Sequence, residues 1–103
     1  MTVSQANAVQ SAERYLSMSA FSRSGLIQQL SSEYGEGYPA ADAVYAVDHV
    51  SVNWNEQAVR AAKQYLAEWP FSRERLIQRL EAKYGDGFTH AEAVYGVDHT
   101  RLG

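Results

Sequence analysis

The sequence predicts an all-α fold made of two tandem three-helix, helix-turn-helix-like units that pack together. When the chain is aligned with itself at an offset of 50 positions, about half of the residues from Ala8 to His49 match those from Ala58 to His99. The matching apolar residues recur at helical spacing, and no segment shows the period-two alternation typical of a half-buried strand. We therefore expect a first repeat at 4–50, a second repeat at 51–100 and a tail at 101–103.

The first helix of each repeat is predicted from an apolar stripe that faces the core. In the second repeat, Asn53 precedes this stripe at an N-cap position, and Glu56 three residues later gives the pattern of a capping box. The stripe of the second repeat consists of Ala58, Ala62, Tyr65, Leu66 and Trp69.

The second helices are predicted to begin at serine caps, Ser22 and Ser72, and to end at Gly35 and Gly85. Each helix repeats the same pattern of aliphatic residues, which we expect to be buried. These residues are Leu26, Ile27 and Leu30, and their copies Leu76, Ile77 and Leu80.

The third helices follow a glycine turn in both repeats. Pro39 suits the first turn of one of them, and Thr89 with Glu92 forms a capping box in the other. The predicted buried face consists of Ala41, Val44, Tyr45 and Val47, copied as Ala91, Val94, Tyr95 and Val97.

Two further structural roles are expected from the repeat pattern. Trp54 lies where the repeats join, and because its counterpart is Ser4, we expect it to hold the repeats together. Repeated arginines at the start of the second helices are candidate donors to repeated aspartates at the end of the third helices. The expected ion pairs are Arg23 with Asp48 and Arg73 with Asp98.

Catalytic and metal-binding patterns are not found. The chain has no cysteine, and the histidine after Asp48 or Asp98 lacks the i, i+4 partner expected of a helical metal site. The glycine turns lack the lysine and the preceding strand of a phosphate-binding loop, and the repeated serines are explained as caps. We expect no enzyme activity, no metal and no cofactor.

Charge distinguishes the two repeats. The net charge of −3 disfavours nucleic acid as the partner and favours protein. Before position 51 there are two basic and five acidic residues, whereas seven of each follow. We expect an acidic partner-binding face that includes Glu13, Glu33, Glu36 and Asp42. A possible basic stripe is formed by Arg75, Arg79 and Lys83, whose counterparts are Gly25, Gln29 and Glu33.

No stretch approaches the roughly 20 apolar residues of a membrane span, and the first ten residues lack the pattern of a secretion signal. The chain as given is expected to be soluble, and cytoplasmic if it is complete. The lack of a cysteine to carry a lipid means that any membrane anchor would lie outside it.

The repeated motifs resemble those of the Ltp family, the host cell surface-exposed lipoprotein domain. They are Tyr-Leu, Phe-Ser-Arg, Leu-Ile-Gln-x-Leu, a glycine turn and Ala-x-Tyr-x-Val-Asp, at 15–48 and 65–98, with the linking segment at 52–58. The resemblance implies tandem three-helix modules of bacteria and phages, whose best-known members are prophage lipoproteins that block DNA entry by a second phage. It also implies a cell-surface location if this chain was excised from such a lipoprotein.

Our primary hypothesis is a phage- or prophage-encoded protein-binding module that acts in superinfection exclusion. Its acidic face would bind a phage DNA-injection component or a host protein. The alternatives are a helix-turn-helix DNA-binding regulator that uses the basic stripe and a small virion or assembly component. The sequence leaves open the oligomeric state and whether one or both repeats bind.

Overall fold

The computed structural model describes residues 1–83 and 85–103, and within them it contains six helices and no strand. The predicted all-α tandem repeat is confirmed. In chain order the helices are α1 (Val3–Met18), α2 (Arg23–Ser31), α3 (Ala40–His49), α4 (Trp54–Glu68), α5 (Arg73–Glu81) and α6 (His90–Asp98).

Side-chain caps fix the starts of most helices. The Ser22 and Ser72 hydroxyls accept from the backbone N–H groups three residues later, which would otherwise lack an intrahelical partner. A full capping box opens α6 at Thr89. Asn53 caps α4 through its own side chain, while the Glu56 carboxylate lies 3.5 Å from the hydroxyl of Tyr95. The starts of most helices are therefore set by hydrogen bonds between residues close in sequence.

The predicted ends of the second helices were wrong. Helix α2 ends at Ser31 and α5 at Glu81, well before Gly35 and Gly85, because the residues that follow, Ser32 and Ala82, leave the helical conformation, with ψ of 142° and 126°. The left-handed conformation is taken instead by the later glycines of the turns, with φ of 69° at Gly37 and 74° at Gly87. The turn residues then bond the last helical carbonyls, as in the bond from the Tyr38 amide to the Leu30 carbonyl at 2.8 Å.

The predicted buried face of the third helices was also partly wrong. Val44 is 37 % exposed and Ala41 is exposed, whereas Val47 is buried as expected. The core side of α3 is built from Ala43, Ala46 and Val47, and that of α6 from Ala93, Gly96 and Val97. Small residues permit close approach to the first helix, and the packed face lies at positions 43, 46 and 47 instead of the predicted 41, 44 and 45. Trp69 was likewise misplaced, because it follows the end of α4 and is 64 % exposed.

Each repeat has a core of its own. The first core joins α1, α2 and α3 around Leu26, Leu30 and Val47, and the second joins α4, α5 and α6 around Leu76, Leu80 and Val97. In both repeats the first and third helices form the most extensive contact. The molecule is consequently elongated, with extents of 44 × 24 × 22 Å. Within the described residues, no helix is long and apolar enough to cross a bilayer.

Candidate protein-binding surfaces

The start of α2 docks on the glycine turn of the second repeat. Ser22 is 2 % exposed, and its hydroxyl caps α2 and also donates to the carbonyl oxygen of Asp86. The Ser24 hydroxyl donates to the carbonyl of Gly87 at 2.9 Å. A β-carbon at Gly25 would lie 3.3 Å from the Asp86 carbonyl oxygen, so the missing side chain allows this approach. One side of the second repeat is thereby covered by the first.

Helix α4 completes the junction through long polar side chains. The Arg60 guanidinium donates to the carbonyls of Leu16, at 2.7 Å, and Ser19, at 3.1 Å, which lie at the end of α1. The Gln57 amide oxygen accepts from the backbone N–H of Phe21 at 3.1 Å. Because a cation near a helix C-terminus also interacts favourably with the helix dipole, Arg60 both bridges the repeats and stabilises the end of α1.

Trp54 contacts the first repeat although it belongs to the second. Its ring packs against the core of the first repeat, and the residue is partly buried rather than enclosed. Its expected role at the junction agrees with this placement, but the contact buries less surface than a fully enclosed tryptophan would.

Both repeats contain the Arg–Asp pair that joins the second and third helices. Arg23 and Asp48 form two hydrogen bonds of 2.9 Å, and Arg73 and Asp98 form one of 2.6 Å. The bond to Arg23 holds the pKa of the Asp48 carboxyl below its usual value, and Asp48 raises the pKa of Arg23. All four side chains are nearly half exposed, so each pair is screened by water.

The histidine that follows each aspartate is held by its own helix. Nδ1 of His49 lies 2.6 Å from the carbonyl oxygen of Tyr45, and the two rings stack with centroids 3.8 Å apart. His99 and Tyr95 repeat this arrangement at 2.7 Å and 4.0 Å. In the described part of the chain, no group of three or more metal-ligating side chains is assembled.

The acidic residues of the first repeat are spread over its surface. Glu36 accepts from the Tyr15 hydroxyl at 2.8 Å, and this bond is the main cause of the raised pKa of Tyr15. Asp42 accepts from the Ser4 hydroxyl at 2.6 Å. Because Ser4 and Tyr15 are near opposite ends of α1, roughly 16 Å apart at 1.5 Å per residue, these carboxylates do not share one cluster.

The other two members of the predicted acidic face, Glu13 and Glu33, are exposed and make no hydrogen bond or ion pair within the described residues. Arg14 and Met18 line the same shallow cavity as Glu36. The structure therefore presents dispersed negative charge beside an apolar side chain.

The predicted basic stripe is shorter than expected. Arg75 and Arg79 lie exposed on α5, but Lys83 follows the end of that helix at Glu81. The Arg79 guanidinium stands over two rings, 5.7 Å from the centroid of Tyr65 and 6.0 Å from that of Phe71. Only two of the three cations thus share one helical face.

Asp86 is a polar residue of the junction that the sequence did not single out. Its Oδ2 is buried and has no hydrogen-bond partner among the described residues, and burial raises the pKa of its carboxyl. Burial and the neighbouring Asp86 also raise the pKa of the Tyr65 hydroxyl. The counterpart of Asp86 in the first repeat, Glu36, is exposed, so the sequence carries no local signal that Asp86 lies in the junction.

Comparison with known proteins follows the repeat boundaries. The model of the host cell surface-exposed lipoprotein family, Lipoprotein_Ltp, matches the chain twice, at residues 4–50 and 53–100. The chain belongs to this family. No curated protein matches it significantly.

Among solved structures, this Ltp-family chain is similar to Ltp, a superinfection exclusion protein from the Streptococcus thermophilus temperate phage TP-J34. The two superpose with a TM-score of 0.88 at 30 % sequence identity, over 98 % of this chain and 99 % of that one. The similarity spans both repeats, and it therefore includes their relative placement as well as the fold of each.

Proposed function

We propose that this Ltp-family protein acts in superinfection exclusion by binding a phage DNA-injection component, or a host protein that such a component uses. The observation that carries the proposal is the 30 % identity to a superinfection exclusion protein across nearly the full length of both chains. Binding rather than catalysis is favoured because the polar groups of the repeated motifs form helix caps, the Arg–Asp ion pairs and the contacts between the repeats.

The acidic surface of the first repeat is the proposed contact. Glu13 and Glu33 are exposed and unbonded among the described residues, so they can pair with a basic partner segment without breaking internal contacts. Exposed apolar side chains supply area for packing, including Met18 at 65 % and Tyr34 at 92 % exposure. Mixed charge and apolar area suit recognition of a basic amphipathic segment.

The test compares the loss of two carboxylates of this surface with the loss of the same charge elsewhere on the protein. Glu13→Gln with Glu33→Gln should restore plating of a phage that the unmodified protein excludes, and should weaken capture of that phage's injection proteins in low salt. The matched control, Glu68→Gln with Glu74→Gln, removes the same charge from exposed positions of the second repeat. Equal exclusion by both variants and the parent protein would refute the acidic contact.

Phage adsorption measured beside DNA entry locates the blocked step. Normal adsorption with reduced entry of labelled phage DNA is expected. Reduced adsorption would refute a role at injection.

The DNA-binding alternative has weaker support. Of the three cations assigned to it, Lys83 lies outside α5, so only Arg75 and Arg79 share one helical face. A gel shift at low salt tests it, and a shift with micromolar protein would favour that alternative.

A further inference from the structure

The starts of α2 and α5 are equivalent positions in the two repeats, but within the described residues only α2 receives a glycine turn from the other repeat. In the first repeat, Ser22 and Ser24 at the start of α2 bond the turn at 85–88, and a cavity of about 310 Å³ that includes Phe21 and Gly25 in its lining remains between them. The offset of 50 positions maps this lining onto the start of α5. There an open groove of about 450 Å³ is lined by Pro70, Phe71, Ser72, Arg75, Gln78, Arg79 and Ala82.

The open groove has lost the features that receive a glycine turn. Ser24, which donates to the carbonyl of Gly87, corresponds to Glu74, whose carboxylate cannot donate at neutral pH. Gly25, where a β-carbon would already be 3.3 Å from the Asp86 carbonyl oxygen, corresponds to Arg75. A third repeat, or the turn at 35–37 of a second copy, would meet a carboxylate and a long side chain there.

The same replacements give the open groove a positive charge. The Arg75 side chain makes no hydrogen bond or ion pair within the described residues, and Arg79, which corresponds to Gln29, stands over Phe71. Arginines four residues apart on one helix face present several N–H donors beside an aromatic ring. Carboxylates are the acceptors that match such donors in geometry and charge.

We propose that this groove, defined by Phe71, Arg75, Gln78 and Arg79, is a second recognition surface that binds an acidic peptide segment of a partner protein. The charge of Arg75 and Arg79 indicates the chemistry of the occupant, a segment rich in carboxylates. This surface is opposite in charge to the acidic surface of the first repeat, and its existence does not depend on the exclusion function.

Nuclear magnetic resonance titration of the full, 15N-labelled chain tests the proposal. The probe is the capped acidic peptide Glu-Glu-Ala-Asp-Ala-Glu-Phe, and the control peptide has lysine at each acidic position. Amide shift changes are expected around residues 70–79 with the acidic peptide only. Equal shifts with both peptides, shifts confined to α1 and α3, or none at millimolar peptide would overturn the proposal.

A pair of charge reversals assigns the binding to the groove. Arg75→Glu should weaken binding of the acidic peptide by at least about fivefold, because it replaces an attraction between opposite charges by a repulsion between like charges. Lys63→Glu makes the same change of net charge at an exposed position of α4. It should leave the affinity for the peptide within about twofold of that of the parent protein. Equal weakening by both variants would mean that net charge alone is measured and would overturn the proposal.

Two further outcomes would assign the groove to other occupants. Stronger shifts at 70–79 with a short DNA duplex than with the peptide would overturn it in favour of phosphate binding. Concentration-dependent dimers in sedimentation, abolished by both Arg75→Glu and Glu36→Lys, would overturn it in favour of a second copy of the chain.

Discussion

The bridge from Arg60 to the end of α1 makes a quantitative prediction about the junction. In Arg60→Met the aliphatic stem remains, whereas the two charged hydrogen bonds to the carbonyls of Leu16 and Ser19 are lost. A hydrogen bond to a charged group contributes about 1.5–3 kcal/mol. Arg60 is partly exposed, so solvent can replace some of this, and we expect a total loss of about 2 kcal/mol.

For a domain of this size, that loss should lower Tm by roughly 10 °C. Urea unfolding followed by circular dichroism measures the loss of free energy of unfolding, and thermal unfolding measures the change in Tm. Lys63→Met, at an exposed position of the same helix, is the matched control. Because each repeat has its own core, weakening the junction should also broaden the transition and lower its apparent m-value. A loss below about 0.5 kcal/mol, or one equal to that of the control, would refute the assigned role of Arg60.

Three further changes probe other contacts. Asp48→Asn should cost less than about 1 kcal/mol because the pair with Arg23 is nearly half exposed. Since the pKa of Asp48 is lowered in the folded state, this stabilisation is fully present above the ordinary pKa of an aspartate and is lost as pH falls through the lower folded pKa. A difference from the parent protein that persists unchanged into acid would contradict this assignment. Gly96→Ala places a β-carbon 2.7 Å from the Ala58 carbonyl oxygen and should cost about 1–3 kcal/mol in urea unfolding, and a neutral result would show that α4 and α6 can separate freely. Trp54→Ser should cost about 2 kcal/mol, less than a fully buried tryptophan, whereas Trp69→Ser at an exposed position should stay within about 0.5 kcal/mol; equal effects would contradict packing of Trp54 on the first repeat.

Features set by short-range patterns were accessible from the sequence. The duplication and helical spacing predicted the all-α fold, and the serine caps depend on a residue only three positions away. The pairing of Arg23 with Asp48 also had a sequence signal, because both residues recur at the same offset.

Features set by packing between distant segments were less accessible. Alanine occurs on both sides of α3, so periodicity alone did not distinguish exposed Ala41 from buried Ala43. Trp69 continues the apolar spacing of α4 but lies just beyond the last helical residue. The contact of Ser22 with the Asp86 carbonyl spans 64 positions and has no local signal. What the sequence did contain was a contrast, glycine at position 25 against arginine at position 75.

The contact between the glycine turn of the second repeat and the start of α2 makes the order of the two repeats matter. If the two halves of the gene were exchanged, the protein would keep its composition and both of its cores. Glu74 and Arg75 would then face the turn that contains Glu36, while Ser22, Ser24 and Gly25 would be left at the far end with nothing to receive. The halves are therefore complementary parts rather than interchangeable ones.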